Sequence, residues 1–524
     1  MKILFSFIFF LGTFAGAFGQ LVYKDVAGIF YNRCTSCHHT DGGAPFSMMH
    51  YSETYPWAYA IQSDLQTGKM PPWSPDTTYM RFLHERIITV SEKNNILSWI
   101  SAGAQKGDTT LAPPAPTYTK YKLNGTPDLI LKIPTFTSNA ISKDAYNCFA
   151  LPTGLTQDRI IRAFEVVPGN PNIVHHVGVS IDSTGSVTND LSGSCYSPPG
   201  DATLDVYAPG GFPTVYPGQS PLKMGVKIKA GSKIIFNIHY PMGSAGQQDS
   251  TQVRLYFYQT TATGVRPVYL AGLHNNSNLY IPANTIQTYT DQYPLTGTLT
   301  FPISFFSLFP HSHLIATTIE NYAFSPTDTI PLIKINNWDF KWQGFYNYNK
   351  MVKVPAGYKL FSRHVYDNTA SNPNNPNSPP QLVTVGYNTT DEMFVDFFQF
   401  MVYQPGDENI DIGALLANDP LLNSVSDFSV NEPIVSSASP NPAGEYVKIT
   451  YELTRPADVA VSVYTIFGSE IKNLSYQHNN SAGVYSAIWD GKNDAGVKVP
   501  SGIYFYSVRS GTTTSSGKIV FLPQ

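Results

Sequence analysis

The amino-acid sequence predicts a mainly β protein with one small α-helical domain near its N-terminus. Charged residues make up only 13% of the 524, against 33 Tyr, 31 Phe, 40 Pro and 39 Gly. That balance favours aromatic and β-branched strands parted by turns, hence sandwiches rather than bundles. Apolar residues recur at helical spacing at Val26, Ile29 and Phe30, and again at Ile87, Ile88, Ile96, Leu97, Trp99 and Ile100. The length exceeds what one core supports, so several domains are expected. A formal net charge of −4, with no basic block or acidic tail, leaves no footprint for nucleic acid or an anionic membrane.

In chain order, the first element is MKILFSFIFFLGTFAGAFGQ. Lys2 supplies a positive start, residues 3–11 form an apolar run too short for a bilayer, and Ala17 and Gly19 put small side chains before a cut at Gln20. Residues 1–19 therefore read as a secretory signal peptide, and the mature chain is expected to be soluble and secreted or held at the cell surface. Residues 20–110 form the helical domain, followed by a Pro-rich linker, LAPPAPTYTKY, at 111–121. Beyond it, runs such as KIIFNIHYPM and LTFPISFFSLF alternate with turn clusters, giving β-domains at 120–272 and 273–410. DNTASNPNNPNSPPQ, 367–381, reads as a long surface loop, and a second linker is expected around 411–435. The tail, 433–524, holds VKITYEL, VAVSVYTIF, GVYSAIWDG, GIYFYSVRSG and GKIVFL, the strands of a small sandwich.

The four cysteines fall into two pairs. Cys148 and Cys195 are expected to form a disulfide in an oxidising compartment, the alternative being two buried thiols. Cys34 and Cys37 belong to CTSCH. Two thiols at that spacing can add to the two vinyl groups of a haem, with His38 beneath the iron as proximal ligand. A redox pair or half a zinc site is the plainer reading, but the His directly after Cys37 and the export signal argue against both. Met70 in GKMPPW is the best sixth ligand, since a thioether raises the reduction potential and the prolines stiffen its loop. Met48, Met49 and Met80 compete, and each could equally be core. From IFYNRCTSCHHTDGGAPFSMMHY through KMPPW the segment resembles a small class I cytochrome c domain, which implies one covalent haem c.

Five histidines lie in strand-like contexts: His175 and His176 in NIVHHVGVSI, His239 in FNIHYPM, and His311 with His313 in LFPHSHLIA. A lone strand histidine is usually a satisfied core residue. His311 and His313, two apart, share one face of a strand and can converge on an ion. His175 and His176 point to opposite faces of an ideal strand, so both can ligate one ion only across a bend or bulge. Imidazole suits copper and zinc alike, whereas an added thioether favours copper.

NPNIVHHV, IHY, HSH, YDN…NPNNP and TTDEMF occur in the order found in the copper type II, ascorbate-dependent monooxygenase family, which includes peptidylglycine and dopamine β-monooxygenases. The resemblance implies two jelly-roll-like β-sandwich domains and two coppers. His175, His176 and His239 would hold the electron-transferring copper, and His311, His313 and Met393 the oxygen-binding one. It further implies hydroxylation of a substrate C–H bond by O2, with electrons from a reductant or redox protein; the fused haem domain is the expected donor. Departures stand out. Phe309 replaces the Arg that precedes His-x-His in peptidylglycine enzymes, and Val395 and Phe397 replace the Asn and Tyr after the methionine. The grip on a peptide carboxylate is therefore missing, and a more apolar small substrate is expected.

The tail, with its WDGKNDAG…PSGIY run, resembles the type A sorting domain of the type IX secretion system and the Ig-like domain of flagellar hook-capping proteins. The first implies passage through the type IX machinery, while an ordinary Ig-like module is the plainer reading. The sequence thus predicts a secreted oxidoreductase. The runner-up is a haem electron-transfer or binding protein with degenerate copper sites, and the third reading an adhesin with a redox decoration.

Overall fold

In the computed structural model, residues 20–40, 42–195, 200–275, 278–386, 388–422, 435–453, 457–466, 469–480, 483–510 and 513–523 are described. The proposed signal peptide lies outside the described residues. The chain is mainly β and divides into two compact units, residues 1–426 and 427–524.

Helices α1 (Tyr23–Arg33), α2 (Ala58–Thr67) and α3 (Val90–Ser101) form the N-terminal cluster. Tyr23, Val26, Ala27 and Phe30 form one stripe of α1, which packs with Ile61, Leu65, Ile96 and Trp99. The Thr89 hydroxyl accepts from the Glu92 N–H while Glu92 accepts from the Thr89 N–H, a reciprocal cap that starts α3 at Val90. Ile87 and Ile88, though spaced as if helical, therefore precede the helix. A buried ion pair, Arg33 Nε to Glu92 Oε1 at 3.0 Å, ties α1 to α3.

Part of the 20–110 region leaves this cluster. Phe82 sits in a β-sandwich core formed by residues beyond 270, with Trp73 and Met80 packed against it. The Asp76 and Leu83 N–H groups donate to the Lys334 and Asn347 carbonyls, both at 2.7 Å. The Pro-rich linker is also docked: Tyr118 stacks on His39 and shares a 2.7 Å hydrogen bond with Thr35.

The first sandwich packs a seven-stranded sheet against a five-stranded one over one core, including Ile161, Phe164, Val177, Val179, Phe236 and Ile238. The five-stranded sheet contains β1 (Ala145–Pro152), β2 (His176–Asp182), β3 (Asp190–Gly193), β4 (Ala202–Tyr207) and β5 (Lys233–Tyr240), in the order β3-β1-β5-β2-β4. Both central strands are buried on both faces: Val177, Val179, Ile181, Ile234, Phe236 and Ile238 turn to the core, while Ser180, Asp182, Asn237 and His239 lie buried on the other side. In the second sandwich, β6 (Tyr269–Asn275), β7 (Ile303–His311), β8 (Tyr346–Val354) and β9 (Val395–Val402) run in the order β6-β9-β7-β8. The opposing sheet has four strands, including Lys359–Asp367.

The predicted linker from 411 is in part a packed element. A short helix, Ile412–Ala417, is capped by Asp411 and buries Ile412 and Leu416 in the first core. Arg162 Nη2 holds Asp419 just beyond it with two contacts of 2.6 Å. The 367–381 loop is anchored by Asn368, fully buried, whose Nδ2 donates to the carbonyls of Ile281, Pro282 and Gln381.

The second unit pairs a three-stranded with a four-stranded sheet around Val447, Ile449, Val461, Trp489, Val508 and Phe521. Its WDG turn is closed by Trp489 Nε1 donating to the Lys492 carbonyl. Gly491 there has φ +69°, and an added Cβ would meet the Phe521 ring at 2.0 Å, so only glycine suits the position.

Candidate metal centres

The central strands of the five-stranded sheet bring three histidines together. His239, near the end of β5, pairs in register with His176, the first residue of β2. His175 lies just before β2, its N–H donating to the His239 carbonyl at 3.0 Å. Because the chain has left strand geometry there, the two neighbouring rings need not point to opposite faces; their centroids are 4.1 Å apart. The Nδ1 atoms of His175 and His239 stand 3.2 Å apart, and those of His239 and His176 3.4 Å. Nitrogens bound at about 2.0 Å to one ion with tetrahedral angles would be separated by about 3.3 Å. Two of the three separations thus match a single tetrahedral ion, and all three ligand atoms lie within 4.8 Å of one another. Behind it, Asp144 Oδ2 lies 3.0 Å from His239 Nε2, orienting that ring as a carboxylate behind a metal-binding histidine does. Burial, then the neighbouring His239, pushes the His175 pKa down to about 4. Burial pushes His176 well below the usual value. Both are thus neutral at pH 7, the form that ligates metal.

The second group sits at the end of β7. His311 and His313 have ring centroids 5.2 Å apart and nearly perpendicular planes. The Nδ1 atoms are both engaged from behind: His311 with Gln343 Oε1 at 2.6 Å, His313 with the Asp391 carbonyl at 3.1 Å. Each Nδ1 must carry its proton to donate, leaving Nε2 as the lone-pair nitrogen available to an ion. Burial, then His313, holds His311 down to about 3, and burial holds His313 to about 4. Met393 is brought alongside by its backbone. Its carbonyl accepts from Ser312 Oγ at 2.9 Å and from the Tyr366 hydroxyl at 2.8 Å. The Glu392 carboxylate accepts from the N–H groups of His313 and Ile315, both at 2.8 Å, and of Met393 at 3.2 Å. Burial raises the Glu392 pKa to about 8 in spite of these donors. Trp338 Nε1 donates to the His313 carbonyl. Phe309 stacks on Phe397 and packs on Phe345, giving an aromatic wall beside His311.

The CTSCH turn follows α1 directly. The Cys37 and His38 N–H groups donate to the Cys34 carbonyl, winding one further turn. Cys34 and Cys37 are free thiols, and burial pushes Cys34 up to about 12. The His38 Nδ1 bonds to the Phe46 carbonyl at 3.0 Å, which fixes the ring and leaves Nε2 as its ligating nitrogen. An added Cβ on Gly210 would stand 2.1 Å from Cys37 Sγ. Gly210 is thus packed directly against this sulfur, and the two free thiols with His38 Nε2 turned away from the Phe46 carbonyl are the residues that would hold a haem. Of the four methionines weighed from sequence, Met48 is core in the helical cluster and Met80 packs on the second sandwich. The Met49 carbonyl accepts from the Tyr31 hydroxyl. Met70 follows the left-handed Gly68 that ends α2 and remains partly exposed, its N–H on the Asp64 carbonyl. Cys148 and Cys195 are disulfide-bonded.

Asp144, Gln343, Trp338 and Glu392 escaped the sequence reading. Only Glu392 carried a signal, its place next to Met393 in TTDEMF; the others have no spacing relation to the histidines they serve.

Residues 266–411 match the family model of the copper type II ascorbate-dependent monooxygenase C-terminal domain, the segment that carries His311, His313 and Met393. This match makes the chain copper monooxygenase-like over that segment. Residues 437–514 match the FlgD Ig-like domain. No curated protein matches the chain. Among solved structures, Bacteroides uniformis β-glucuronidase 3 is 10% identical, with 45% of this chain and 27% of that chain covered and a TM-score of 0.12. Latent PorU from Porphyromonas gingivalis is 11% identical over 73% of this chain and 34% of that one, with a TM-score of 0.16. The chain thus spans about a third or less of the length of either, and scores this low carry no argument about fold or activity.

Proposed function

We propose that this protein is an exported copper-dependent monooxygenase that hydroxylates a C–H bond of a small apolar substrate. The observation that carries the reading is the convergence of His175, His176 and His239, with the His239 Nδ1 3.2 and 3.4 Å from the other two and all three ligand atoms within 4.8 Å of one another, on a chain whose 266–411 segment matches the monooxygenase C-terminal domain. His175, His176 and His239 would hold one copper, and His311, His313 and Met393 a second, whose thioether suits Cu(I). Copper bound at the second group would supply the redox activation of O2. The chain's own part is positioning. Gln343 and the Asp391 carbonyl fix two tautomers, Glu392 gathers the 313–315 backbone onto the Met393 loop, and Phe309, Phe345 and Phe397 offer an apolar face to the substrate. A carboxylate-bearing peptide finds no cation at Phe309, so amidation of glycine-extended peptides is not its reaction.

In the same reading Cys34, Cys37, His38 and Met70 hold one haem c, which feeds electrons to copper. The tail serves as a type IX sorting module on an Ig-like fold.

Metal analysis tests the proposal. The purified protein loaded with copper should carry two ions per chain and consume O2 only with a reductant. His239→Ala should lower the content to one ion and leave the second site's spectrum intact. A wild-type protein that retains no copper after dialysis would leave the haem carrier as the surviving reading.

A further inference from the structure

The contact between the haem motif and the first sandwich is narrow and specific. Gly210 stands so close to Cys37 that a Cβ on it would lie 2.1 Å from the sulfur, and a Cβ on Gly43 would lie 2.1 Å from the Pro209 side chain. The 208–212 turn is pinned on both flanks. Arg86 Nη2 donates to the Gly210 carbonyl at 3.3 Å, Lys122 Nζ donates to the Gly211 carbonyl at 2.8 Å, and His84 stacks on Phe212 with centroids 4.0 Å apart. The turn continues directly from Tyr207, the last residue of β4, which pairs in register with Val177 of β2. Val177 is the residue after His176.

We infer that the segment 207–212 is the electron bridge between the Cys37 edge of the haem motif and the His175/His176/His239 cluster, with Gly43 and Gly210 as the positioning residues that keep it in contact. This rests on the haem and copper reading above. From Gly210 to Tyr207 is three residues, followed by one step across the sheet to the strand that begins at His176. At no more than about 3.4 Å per residue and about 4.8 Å between strands, the way from Gly210 to Val177, one residue short of His176, is at most about 15 Å. The transfer is of one electron with no bond made or broken: a ferrous haem c is oxidised to ferric and a cupric ion reduced to cuprous. The segment supplies a packed, hydrogen-bonded medium, without a solvent gap at Cys37. Glycine at both contact points is what such closeness requires, since any side chain there would hold the two surfaces apart.

The test uses the full chain carrying haem and two coppers. A photoexcited flavin reduces the haem in a flash, and the ferrous α-band is followed as it decays, with copper-free protein as the control. In the wild type a copper-dependent decay phase is expected. Gly43→Ala should slow that phase several-fold while haem content, copper content and the haem potential stay unchanged. Gly43 keeps its ordinary backbone conformation, so this variant avoids the strain that substitution of Gly210, at φ +75°, would add. Gly210→Val, taken as the second variant, should slow it further. A copper-dependent phase of unaltered rate in both variants overturns the bridge and leaves the haem–copper reading standing. A wild-type protein with no haem band, or with haem that decays alike with and without copper, overturns that reading and the bridge with it.

Discussion

His84 lies flat on Phe212 with Arg86 and Lys122 close by, and burial followed by these two cations pushes its pKa down to about 4. The unfolded chain binds a proton here below about pH 6.5 while the folded chain still refuses it, so this residue's contribution to stability is intact above that pH and is lost as pH falls toward 4. The slope is at most about 1.4 kcal/mol per pH unit. Urea unfolding of wild type and His84→Phe between pH 7 and 4.5 should show a shallower acid loss in the variant, and parallel curves would refute the assignment. At this scale the sequence was most informative about the histidines. The i, i+2 spacing of His311 and His313 suggested one strand face, but the strand ends at His311 and His313 lies two residues beyond it, with the ring centroids still 5.2 Å apart; the doublet at His175 and His176 demanded the departure from strand geometry that is found. Their supports could not be read. Asp144 meets His239 across 95 residues of chain only because β1 and β5 are neighbours, and such pairing is set by register rather than local pattern.

Among elements, the helix Ile412–Ala417 shows how a segment read as linker becomes structural. Its six residues are too short a run to show a helical period, yet Ile412 and Leu416 reach the first core and Asp419 closes on Arg162. Asp419 is 1% exposed and Arg162 18%. Asp419→Ala leaves the guanidinium without its partner and should cost about 3 kcal/mol. A urea midpoint within error of wild type would show that the pair adds nothing. The opposite case is α3, where period alone extended the helix back through Ile87 and the Thr89–Glu92 cap set the true start. Residues 73–83 read as part of the helical domain for want of any signal; the packing of Phe82 in the second core and the backbone bonds to Lys334 and Asn347 reveal that they serve the second sandwich.

For the molecule as a whole, fold class and strand positions followed from composition and turn punctuation, while the docking of the helical cluster did not, since few surface residues carry a mark of their intramolecular partners. The second unit has its own core and its own two sheets. Residues 433–524 expressed alone should therefore give one cooperative urea transition in the fluorescence of Trp489, the sole tryptophan of that segment. A gradual, non-sigmoidal change would show that the unit does not fold alone. The two cysteine pairs carry a last consequence, for biogenesis. Cys148 and Cys195 are disulfide-bonded while Cys34 and Cys37 are free thiols, and on the haem reading proposed above the second pair must stay reduced until haem is attached. Once folded, burial raises the Cys34 pKa and so keeps its thiol largely protonated and poorly reactive at neutral pH. On that reading, haem attachment is expected before the helices close over Cys34 rather than after.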